Sequence, residues 1–533
     1  MRRWNGWGDE ATEYPLHETA SRHLSGRLGP GPQIQDATIE EVISTMHQSR
    51  LWDNPWITTS SEARLRHARG QSLPDWIALR SGQIDTYPDG VAFPASDQEV
   101  RDILEFALEE DVRLIPYGGG TSVLGHINPL MSEKPSLTLD LSRLNQLLDL
   151  DETSLLTTFG AGVRGPDLES QLNRHGYTLG HYPQSFELST LGGWIATRST
   201  GQQSIHYGRI EDLFAGGHVE TPMGSLELPC YPASAAGPDL RHIILGSEGR
   251  LGVITRATVR IRRIPESEQF YGVFFKDWES GFEAVRKTAQ AEVPISMMRL
   301  SDPQETETTL LLSGRDMTVN VAQQGLNLLG YGDDRCLLIF GVTGDKSSAS
   351  RIRGLATSIF RSFGGLPAIS TIGDLWRQSR FLSPYLRNTL WELGYAVDTL
   401  ETAAPWSTVK TLHIEIGNAM EQAFARIGEA IVILSHISHV YIDGASLYIT
   451  FIFRRAHEPI ETLNRWKLLK GAASEMIIER GGTISHQHGI GLDHAVYLPY
   501  EKGPLGIGLI NAVSQELDPH GLMNPGKLLE ARE

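Results

Sequence analysis

The chain is 533 residues long, which is too long for one ordinary hydrophobic core, so we expect two or three domains. Its 40% hydrophobic and 21% charged residues are typical of a globular enzyme, and its formal net charge of -17 argues against a nucleic-acid partner. Only two cysteines occur, Cys230 and Cys336, so neither a disulfide framework nor a thiolate metal site is expected.

Neither end of the chain carries a recognisable targeting signal. The opening residues MRRWNGWGDE are too polar for a signal peptide, and the closing LLEARE is not a peroxisomal address of the SKL type. No apolar run approaches the roughly 20 residues that a transmembrane helix needs. We therefore expect a cytoplasmic protein, and peripheral contact with a bilayer stays open.

The predicted elements divide the chain into a polar N-terminal segment (1–85), a part with short strands and helices (86–266), a second α+β domain (267–455) and a helical C-terminal segment (456–533). A helix is predicted after Ser96, which can cap it, because Glu99 follows three residues later and apolar residues then repeat on one face. The stretch RLIPY at 113–117 is predicted as a strand. The clean alternation over 253–261 indicates another, half-buried strand.

Three consecutive glycines follow the first of these strands, in PYGGGTSV (116–123). Glycines permit positive φ and leave backbone N–H groups uncovered, so such a loop can hold a phosphate or pyrophosphate without a lysine. A plain tight connection between two elements is the alternative. The pattern is neither the G-x-G-x-x-G fingerprint of dinucleotide-binding folds nor a P-loop.

Two further stretches are dense in small and hydroxyl-bearing residues. They are HYPQSFELSTLGGWIATRSTGQQSIHYGRIEDL (181–213) and GPDLRHIILGSEGRLGVIT (237–255). Such density outside a linker indicates backbone that passes close to a large polar ligand. One long ligand with a pyrophosphate in its middle would account for all three stretches.

Together these motifs resemble the FAD-binding domain of the vanillyl-alcohol oxidase superfamily. Within it, the chain is similar to the alkyldihydroxyacetonephosphate synthase family nearly end to end, through WNGWGD (4–9), LETAAPW (400–406), SLYITF (446–451) and ISHQHGIG (484–491). The resemblance implies an α+β fold, with a PCMH-type FAD-binding domain of two subdomains and an α+β cap domain for the substrate. It also implies non-covalent FAD, because the glycine loop lacks the histidine to which relatives attach the flavin.

The same resemblance assigns the residues that hold FAD. Residues 116–122 would wrap the pyrophosphate, 183–190 and 197–200 would line the flavin and ribitol, and 248–254 would complete the cradle. The implied cofactor-binding residues are Pro116, Tyr117, Gly118, Gly119, Gly120, Thr121, Ser122, Pro183, Gln184, Ser185, Ser189, Thr190, Gly193, Thr197, Arg198, Ser199, Glu248, Gly249, Leu251, Gly252, Val253 and Ile254.

Three residues are implied to be catalytic. Tyr448 matches the acid/base of the family, placed beside the flavin ring, and without that match it would be an ordinary strand aromatic. His486 and His488 would take or give protons near neutral pH. The family has three adjacent histidines here, whereas this chain has Gln487 in the middle, which is implied to contact the substrate but cannot move protons.

Two arginines are implied to bind the substrate. Arg387 matches the arginine that grips a phosphate in the family, which suits a guanidinium fork, and an ordinary surface ion pair is the alternative. Arg299 matches a second family arginine near the active site. No metal ligand set is expected, because Gln487 stands where metal-binding relatives have a glutamate.

The resemblance implies an unusual reaction. The carbon of acyl-dihydroxyacetone phosphate bonds to flavin N5, the fatty acid leaves and a fatty alcohol replaces it, which yields an ether-lipid precursor without net electron transfer. A small-molecule or lipid-phosphate substrate and a homodimer are expected. The alternatives are an FAD-dependent D-2-hydroxy acid or alcohol dehydrogenase on the same fold, and a flavin-binding scaffold without activity.

Overall fold

A computed structural model of the chain describes residues 1–312, 324–368 and 371–529. Helices and strands alternate along these residues, as expected of an α+β protein. Over the described ranges, no helix combines the length and the apolar character needed to cross a membrane.

The described helices are Glu18–Leu28, Ile39–Thr45, Ser61–Arg66, Leu73–Ser81, Asp97–Glu109, Gly165–Asn173, Leu191–Thr197, Ser204–Tyr207, Ile210–Leu213, Arg241–Ile244, Trp278–Gln290, Pro303–Leu312, Lys346–Ser362, Thr371–Ser379, Leu386–Glu392, Trp406–Ala425, Pro459–Glu479 and Leu498–Leu517. The strands are β1 (Ile57–Thr58), β2 (Gly90–Ala92), β3 (Arg113–Tyr117), β4 (Ser136–Asp140), β5 (Leu147–Asp151), β6 (Leu156–Gly160), β7 (Tyr177–Thr178), β8 (Phe214–Thr221), β9 (Gly224–Leu228), β10 (Val253–Arg260), β11 (Arg262–Arg263), β12 (Ser267–Phe275), β13 (Met297–Ser301), β14 (Cys336–Gly344), β15 (Leu366–Pro367), β16 (Tyr395–Pro405), β17 (Ile431–Val440) and β18 (Gly444–Arg454).

In the part of the chain that the structure describes, the strands form four sheets. Their orders are β1-β2-β4-β3, β5-β6-β10-β8-β9, β11-β7 and β15-β12-β14-β13-β17-β18-β16. In the first sheet, β4 pairs in parallel with both β2 and β3. The triple-glycine loop leaves the carboxyl end of β3, which is the edge where ligands bind in open parallel sheets.

The helix Asp97–Glu109 shows how closely the local sequence sets an element boundary. Ser96 Oγ accepts the N–H of Glu99 at 3.1 Å, so the predicted N-cap is confirmed. The Glu99 carboxylate turns back to the N–H of Ala95, at 2.7 Å, rather than to that of Ser96. The reciprocal bond of the capping box is therefore made one residue earlier than expected.

One face of the seven-stranded sheet packs on a large apolar core, and part of the opposite face carries polar side chains. On β18, the alternate residues Leu447, Ile449, Phe451 and Phe453 are completely buried, as their spacing predicts. They belong to a core that includes residues of the helices Trp406–Ala425 and Pro459–Glu479. Burial of each such side chain contributes about 1.5 to 3 kcal/mol, which fixes the register of the sheet.

That register places three ionisable side chains in one row. Tyr448 on β18 pairs directly with His436 on β17 and with Glu401 on β16. Residues directly opposite one another in an antiparallel pair share a face of the sheet. The apolar packing on one face therefore sets a phenol, an imidazole and a carboxylate side by side on the other.

Candidate functional site

The triple-glycine loop is packed too closely for side chains. A Cβ at Gly119 would collide with the carbonyl oxygen of Leu188, and a Cβ at Gly118 would collide with Thr190 Oγ1. Gly120 has a φ of +63°, a left-handed conformation that favours glycine. The glycines therefore bring this loop directly against the second stretch of small residues.

The amide groups of the same loop are free to bind a ligand. Among the described residues, none accepts a hydrogen bond from the N–H groups of Gly118, Gly119, Gly120, Thr121 and Ser122. Backbone N–H groups in a folded chain normally donate to an acceptor, so five consecutive free N–H groups indicate that a ligand supplies the acceptors. A pyrophosphate supplies the matching row of anionic oxygens.

The third stretch of small residues closes on the first two. Gly249 packs on the ring of Pro116, which would lie 3.1 Å from a Cβ at that position. Gly246 packs in the same way on the side chain of Arg198, at 3.0 Å. The three stretches that are predicted to touch one ligand are thus neighbours in the fold.

Hydroxyl groups of the second stretch hold its backbone in shape. Thr190 Oγ1 caps a helix by accepting the N–H of Gly193 at 3.3 Å, and Ser189 Oγ accepts Trp194 Nε1 at 2.7 Å. These two hydroxyls are therefore structural as well as candidate contacts to a ligand.

The other predicted cofactor residues lie along the same stretches. Gln184 Nε2 donates to the carbonyl of Arg380 at 2.7 Å, and Arg198 Nε pairs with Glu211 at 3.2 Å. Tyr117 ends β3 and is buried. Val253 and Ile254 begin β10 and pair with Glu220 and Val219 of β8. The remaining predicted residues are Pro183, Ser185, Thr197, Ser199, Leu251 and Gly252.

Glu248 is engaged with the C-terminal histidine segment. Its φ of +53° is uncommon for a residue other than glycine, and its carboxylate accepts the N–H groups of Ile490 at 2.5 Å and Gly491 at 2.9 Å. His126 Nε2 lies 3.3 Å from the same carboxylate. Glu248 therefore anchors the histidine segment to the glycine-rich part of the chain.

Glu401 holds the other end of the histidine segment. Its Oε1 accepts the N–H groups of Gln487 at 2.6 Å and His488 at 2.7 Å, and its side chain is only 1% exposed. Burial raises the carboxyl pKa, but His488, His486 and the N–H donors outweigh burial and hold the pKa of Glu401 at about 2. A permanent negative charge therefore lies next to the two imidazoles.

Tyr448 lies between two imidazole rings. The ring of His436 stacks on it with centroids 5.1 Å apart, and the ring of His488 meets it edge-on at 5.7 Å. Burial raises the pKa of Tyr448 to about 12, and burial lowers the pKa of His488. At neutral pH the phenol is protonated and His488 is neutral, so the phenol can donate a proton and the imidazole can accept one.

Arg387 carries a charge that no carboxylate of the described residues meets at ion-pair distance. Its guanidinium donates to the carbonyls of Gln71 at 2.8 Å and Val397 at 3.3 Å and stacks on Trp76 at 4.5 Å. It forms no ion pair with any described residue, and burial lowers the pKa of Arg387. Two of its five N–H donors are used, so the others remain for an anionic ligand.

Arg299, by contrast, is committed to protein partners. One of its terminal nitrogens lies 2.6 Å from Glu305 Oε1 and 3.4 Å from His436 Nδ1. Glu305 also contacts His436 Nδ1, at 3.0 Å. Arg299 thus reaches the predicted active site through the imidazole that stacks on Tyr448.

Gln487 differs from its two neighbours in what it can offer. Its Oε1 is buried and accepts no hydrogen bond within the described chain. An amide cannot move protons, but a donor group on a substrate would satisfy this acceptor. In the described ranges, no group of three or more His, Cys, Asp or Glu side chains could hold a metal ion.

Comparison with known proteins identifies the family. Residues 88–227 match the family described as FAD binding domain, and residues 264–528 match FAD linked oxidases, C-terminal domain. The alkyldihydroxyacetonephosphate synthase of Dictyostelium discoideum is 31% identical, over 98% of this chain and 85% of the relative. The chain belongs to the alkyldihydroxyacetonephosphate synthase family.

A solved structure supports the same assignment. An alkyldihydroxyacetonephosphate synthase with 28% sequence identity superposes with a TM-score of 0.84 and covers 98% of both chains. The mitochondrial D-lactate dehydrogenase [cytochrome] of Arabidopsis thaliana is more distant, at 24% identity over 92% of this chain and 80% of the relative. These comparisons confirm the expected α+β fold with its PCMH-type FAD-binding domain.

Members of the alkyldihydroxyacetonephosphate synthase family and the FAD-linked oxidases share the cofactor, and this chain binds FAD. The residues present fit that cofactor, because the five free N–H groups of the glycine loop match a pyrophosphate. Arg2 also reaches this loop and donates to the carbonyl of Gly119 at 2.7 Å. A cation beside the loop adds to its attraction for a phosphate.

Sequence reasoning missed several residues of the site. Glu401 and His436 received no role, and neither did Arg209 and Tyr441, which contact His486. LETAAPW was noted only for its likeness to the family. Pairing β16 and β17 with β18 in register would have placed Glu401 and His436 beside Tyr448, but that register is not visible in one sequence.

Proposed function

We propose that this chain exchanges the acyl group of acyl-dihydroxyacetone phosphate for a fatty alcohol, with FAD bound non-covalently. The supporting observation is one cluster with an unpaired guanidinium (Arg387), a protonated phenol (Tyr448) and a neutral imidazole (His488). Anion binding and proton exchange are the two tasks that this reaction sets for a protein. The similarity to the synthases favours that substrate over a simple hydroxy acid.

Arg387 would bind the phosphate group. A phosphate dianion takes up parallel N–H donors from a guanidinium, and the two carbonyl contacts and the Trp76 stack fix the orientation of that fork. A half-buried cation without a carboxylate is costly in the free protein. Phosphate binding would relieve that cost, so affinity for phosphorylated substrates should depend strongly on this side chain.

Tyr448 and His488 would handle the protons. The bond from the sugar carbon to the acyl oxygen breaks, the bond to the alcohol oxygen forms, and the alcohol proton must leave. Neutral His488 can accept that proton, and the Tyr448 hydroxyl can donate a hydrogen bond to a departing carboxylate. FAD, when bound, supplies an electrophilic ring that supports substitution at carbon, and no electrons are lost overall.

The test is exchange of the acyl group for labelled hexadecanol under anaerobic conditions. Purified protein should be yellow, should release its flavin in acid, and should form the labelled ether from an acylated dihydroxyacetone phosphate without lasting bleaching of the flavin band. Bleaching by a D-2-hydroxy acid, with electrons passed to a dye and no ether product, would refute the proposal and establish a dehydrogenase.

We also propose a cytoplasmic homodimer that touches membranes peripherally. An acyl-chain substrate resides in a bilayer, and the helix Leu498–Leu517 exposes Leu505 at 86% and Leu509 at 70%. Light scattering would measure the mass of the particle, and sedimentation with phosphatidylcholine vesicles would measure membrane contact. A monomeric protein that stays in the supernatant would contradict both parts.

A further inference from the structure

His486 is enclosed by groups that its sequence neighbours do not supply. Tyr441, in the hairpin between β17 and β18, places its hydroxyl 2.6 Å from His486 Nε2. Arg209, just before the helix Ile210–Leu213, lies 3.1 Å from the same hydroxyl, 3.3 Å from His486 Nε2 and 3.2 Å from the His486 carbonyl oxygen. Three separate elements thus meet at one ring nitrogen.

The donors and acceptors decide where the His486 proton lies. A guanidinium can only donate, so Arg209 supplies one hydrogen to the Tyr441 oxygen and faces Nε2 with another. The Tyr441 hydrogen is then available to point at Nε2, and a bare Nε2 can accept from both groups. A proton on Nε2 would face the Arg209 N–H at 3.3 Å, so this geometry favours a neutral ring with its proton on Nδ1.

The opposite nitrogen meets a charge that suits this tautomer. His486 Nδ1 lies 3.7 Å from Glu401 Oε2, where an N–H is attracted to the carboxylate. His439 stacks on the ring at 5.1 Å, and burial lowers the pKa of His439 well below its usual range, so this neighbour adds no charge. Glu211 holds Arg209 in place, with 3.4 Å between Oε1 and Nε.

His488 lacks such an enclosure. Its side chain is 18% exposed, against 2% for that of His486. Its Nδ1 faces Glu401 at 3.6 Å, and its Nε2 has no hydrogen-bond partner within the described chain. The two histidines of one short segment therefore occupy different chemical environments.

We propose that Arg209 and Tyr441 are positioning residues that lock His486 as the neutral Nδ1–H tautomer, so that only His488 exchanges protons with bound substrate. The second half of this statement rests on the proposed function, whereas the locked tautomer does not. His486 then acts as a fixed dipole between Tyr441 and Glu401, and His488 is the imidazole of the segment that remains for proton exchange.

Nitrogen-15 NMR of FAD-loaded protein with ring-labelled histidine tests the tautomer directly. The His486 signals are assigned by their loss in His486→Asn. The expected result is a protonated Nδ1 and a bare Nε2. A protonated Nε2 would overturn the proposal whatever reaction the protein catalyses.

Tyr441→Phe and Arg209→Gln test the positioning role. Each substitution should free the His486 ring to change tautomer and should lower kcat about tenfold to a hundredfold. KM for the phosphorylated substrate should change by less than about threefold, because neither residue would contact the phosphate. Tyr395→Phe is the matched control, since it removes another buried hydroxyl, which donates to the Gly29 carbonyl at 2.7 Å.

The kinetic outcomes separate the two proposals. If wild-type protein makes no ether, the proposed function fails, while the NMR result still decides the tautomer. If ether forms and both variants keep the wild-type tautomer and kcat, the positioning role is refuted and the proposed function stands. Flavin absorbance of each variant establishes that the fold and the cofactor are retained.

Discussion

Replacing Glu401 with glutamine would test the electrostatic arrangement under the two histidines. A pKa of about 2 in the folded chain, against an ordinary value of 4.5, corresponds to about 3 kcal/mol of stabilisation at neutral pH. The contacts agree with that figure, because hydrogen bonds to a charged acceptor contribute about 1.5 to 3 kcal/mol each and Oε1 accepts two. Glu401→Gln should therefore lower the stability of the site by about 3 kcal/mol near pH 7.

The pH dependence has a definite sign. The folded-state pKa of Glu401 is depressed, so its stabilisation is complete above about pH 4.5 and is lost as the pH falls toward 2. The difference in stability between the wild-type protein and Glu401→Gln should therefore become smaller as the pH falls from about 4.5 toward 2. The urea concentration at which FAD is released, followed by flavin fluorescence at several pH values, measures this difference.

The same substitution should lower kcat more than a stability defect explains. The new amide would place an N–H donor next to His486 Nδ1–H, so we expect a loss of about a hundredfold at temperatures where FAD stays bound. Glu429→Gln is the matched control, because Glu429 is a largely buried carboxylate that binds Arg454 and Arg465. Wild-type kcat and an unchanged urea midpoint in Glu401→Gln would refute the reasoning.

Three further predictions concern the ligands of the site. Arg387→Gln should raise KM for a phosphorylated substrate about tenfold to a hundredfold, because a charged hydrogen bond to the phosphate is lost. Arg377 forms an exposed ion pair with Glu268, so the control variant Arg377→Gln should leave steady-state kinetics unchanged. Tyr448→Phe should lower kcat at least about a hundredfold and leave the FAD spectrum intact. Because the pKa of Tyr448 is about 12, the activity of the wild-type protein should not fall through ionisation of this phenol below about pH 10. Gly119→Ala should abolish FAD retention, measured by absorbance after gel filtration, because the new Cβ would collide with the Leu188 carbonyl oxygen. Gly354 is the matched control, since it is an exposed helical glycine with open space around it. Gly354→Ala should retain FAD, and the free energy of unfolding should rise by up to about 1 kcal/mol.

Much of the fold was predictable because local patterns determine it. The cap at Ser96, the strand ending at Tyr117 and the buried alternate residues of β18 all follow from spacing and residue type. The proximity of the three small-residue stretches was also predictable, since one ligand had to explain them all. The roles of individual side chains in those stretches were less accessible.

Glu248 shows why. Its neighbours Gly246 and Gly249 indicate a ligand cradle, yet its carboxylate binds N–H groups that follow it by more than 240 residues in the chain. Arg299 likewise matches a family arginine, but its charge is taken up by Glu305 across a helix start. Such partners depend on how distant segments pack, which one sequence does not display.

The histidine segment itself has no helix or strand to hold it, so its precision must come from its contacts. Glu401 accepts the N–H groups of Gln487 and His488, and Glu248 accepts those of Ile490 and Gly491, at distances from 2.5 to 2.9 Å. Four such bonds, at about 1.5 to 3 kcal/mol each, are comparable to the net stability of a whole domain. Because they reach only the backbone of Gln487, they hold the turn equally well with histidine or glutamine at its centre. An imidazole at position 487 is therefore not needed to hold the two flanking rings, and what these contacts require of that position is a backbone N–H donor.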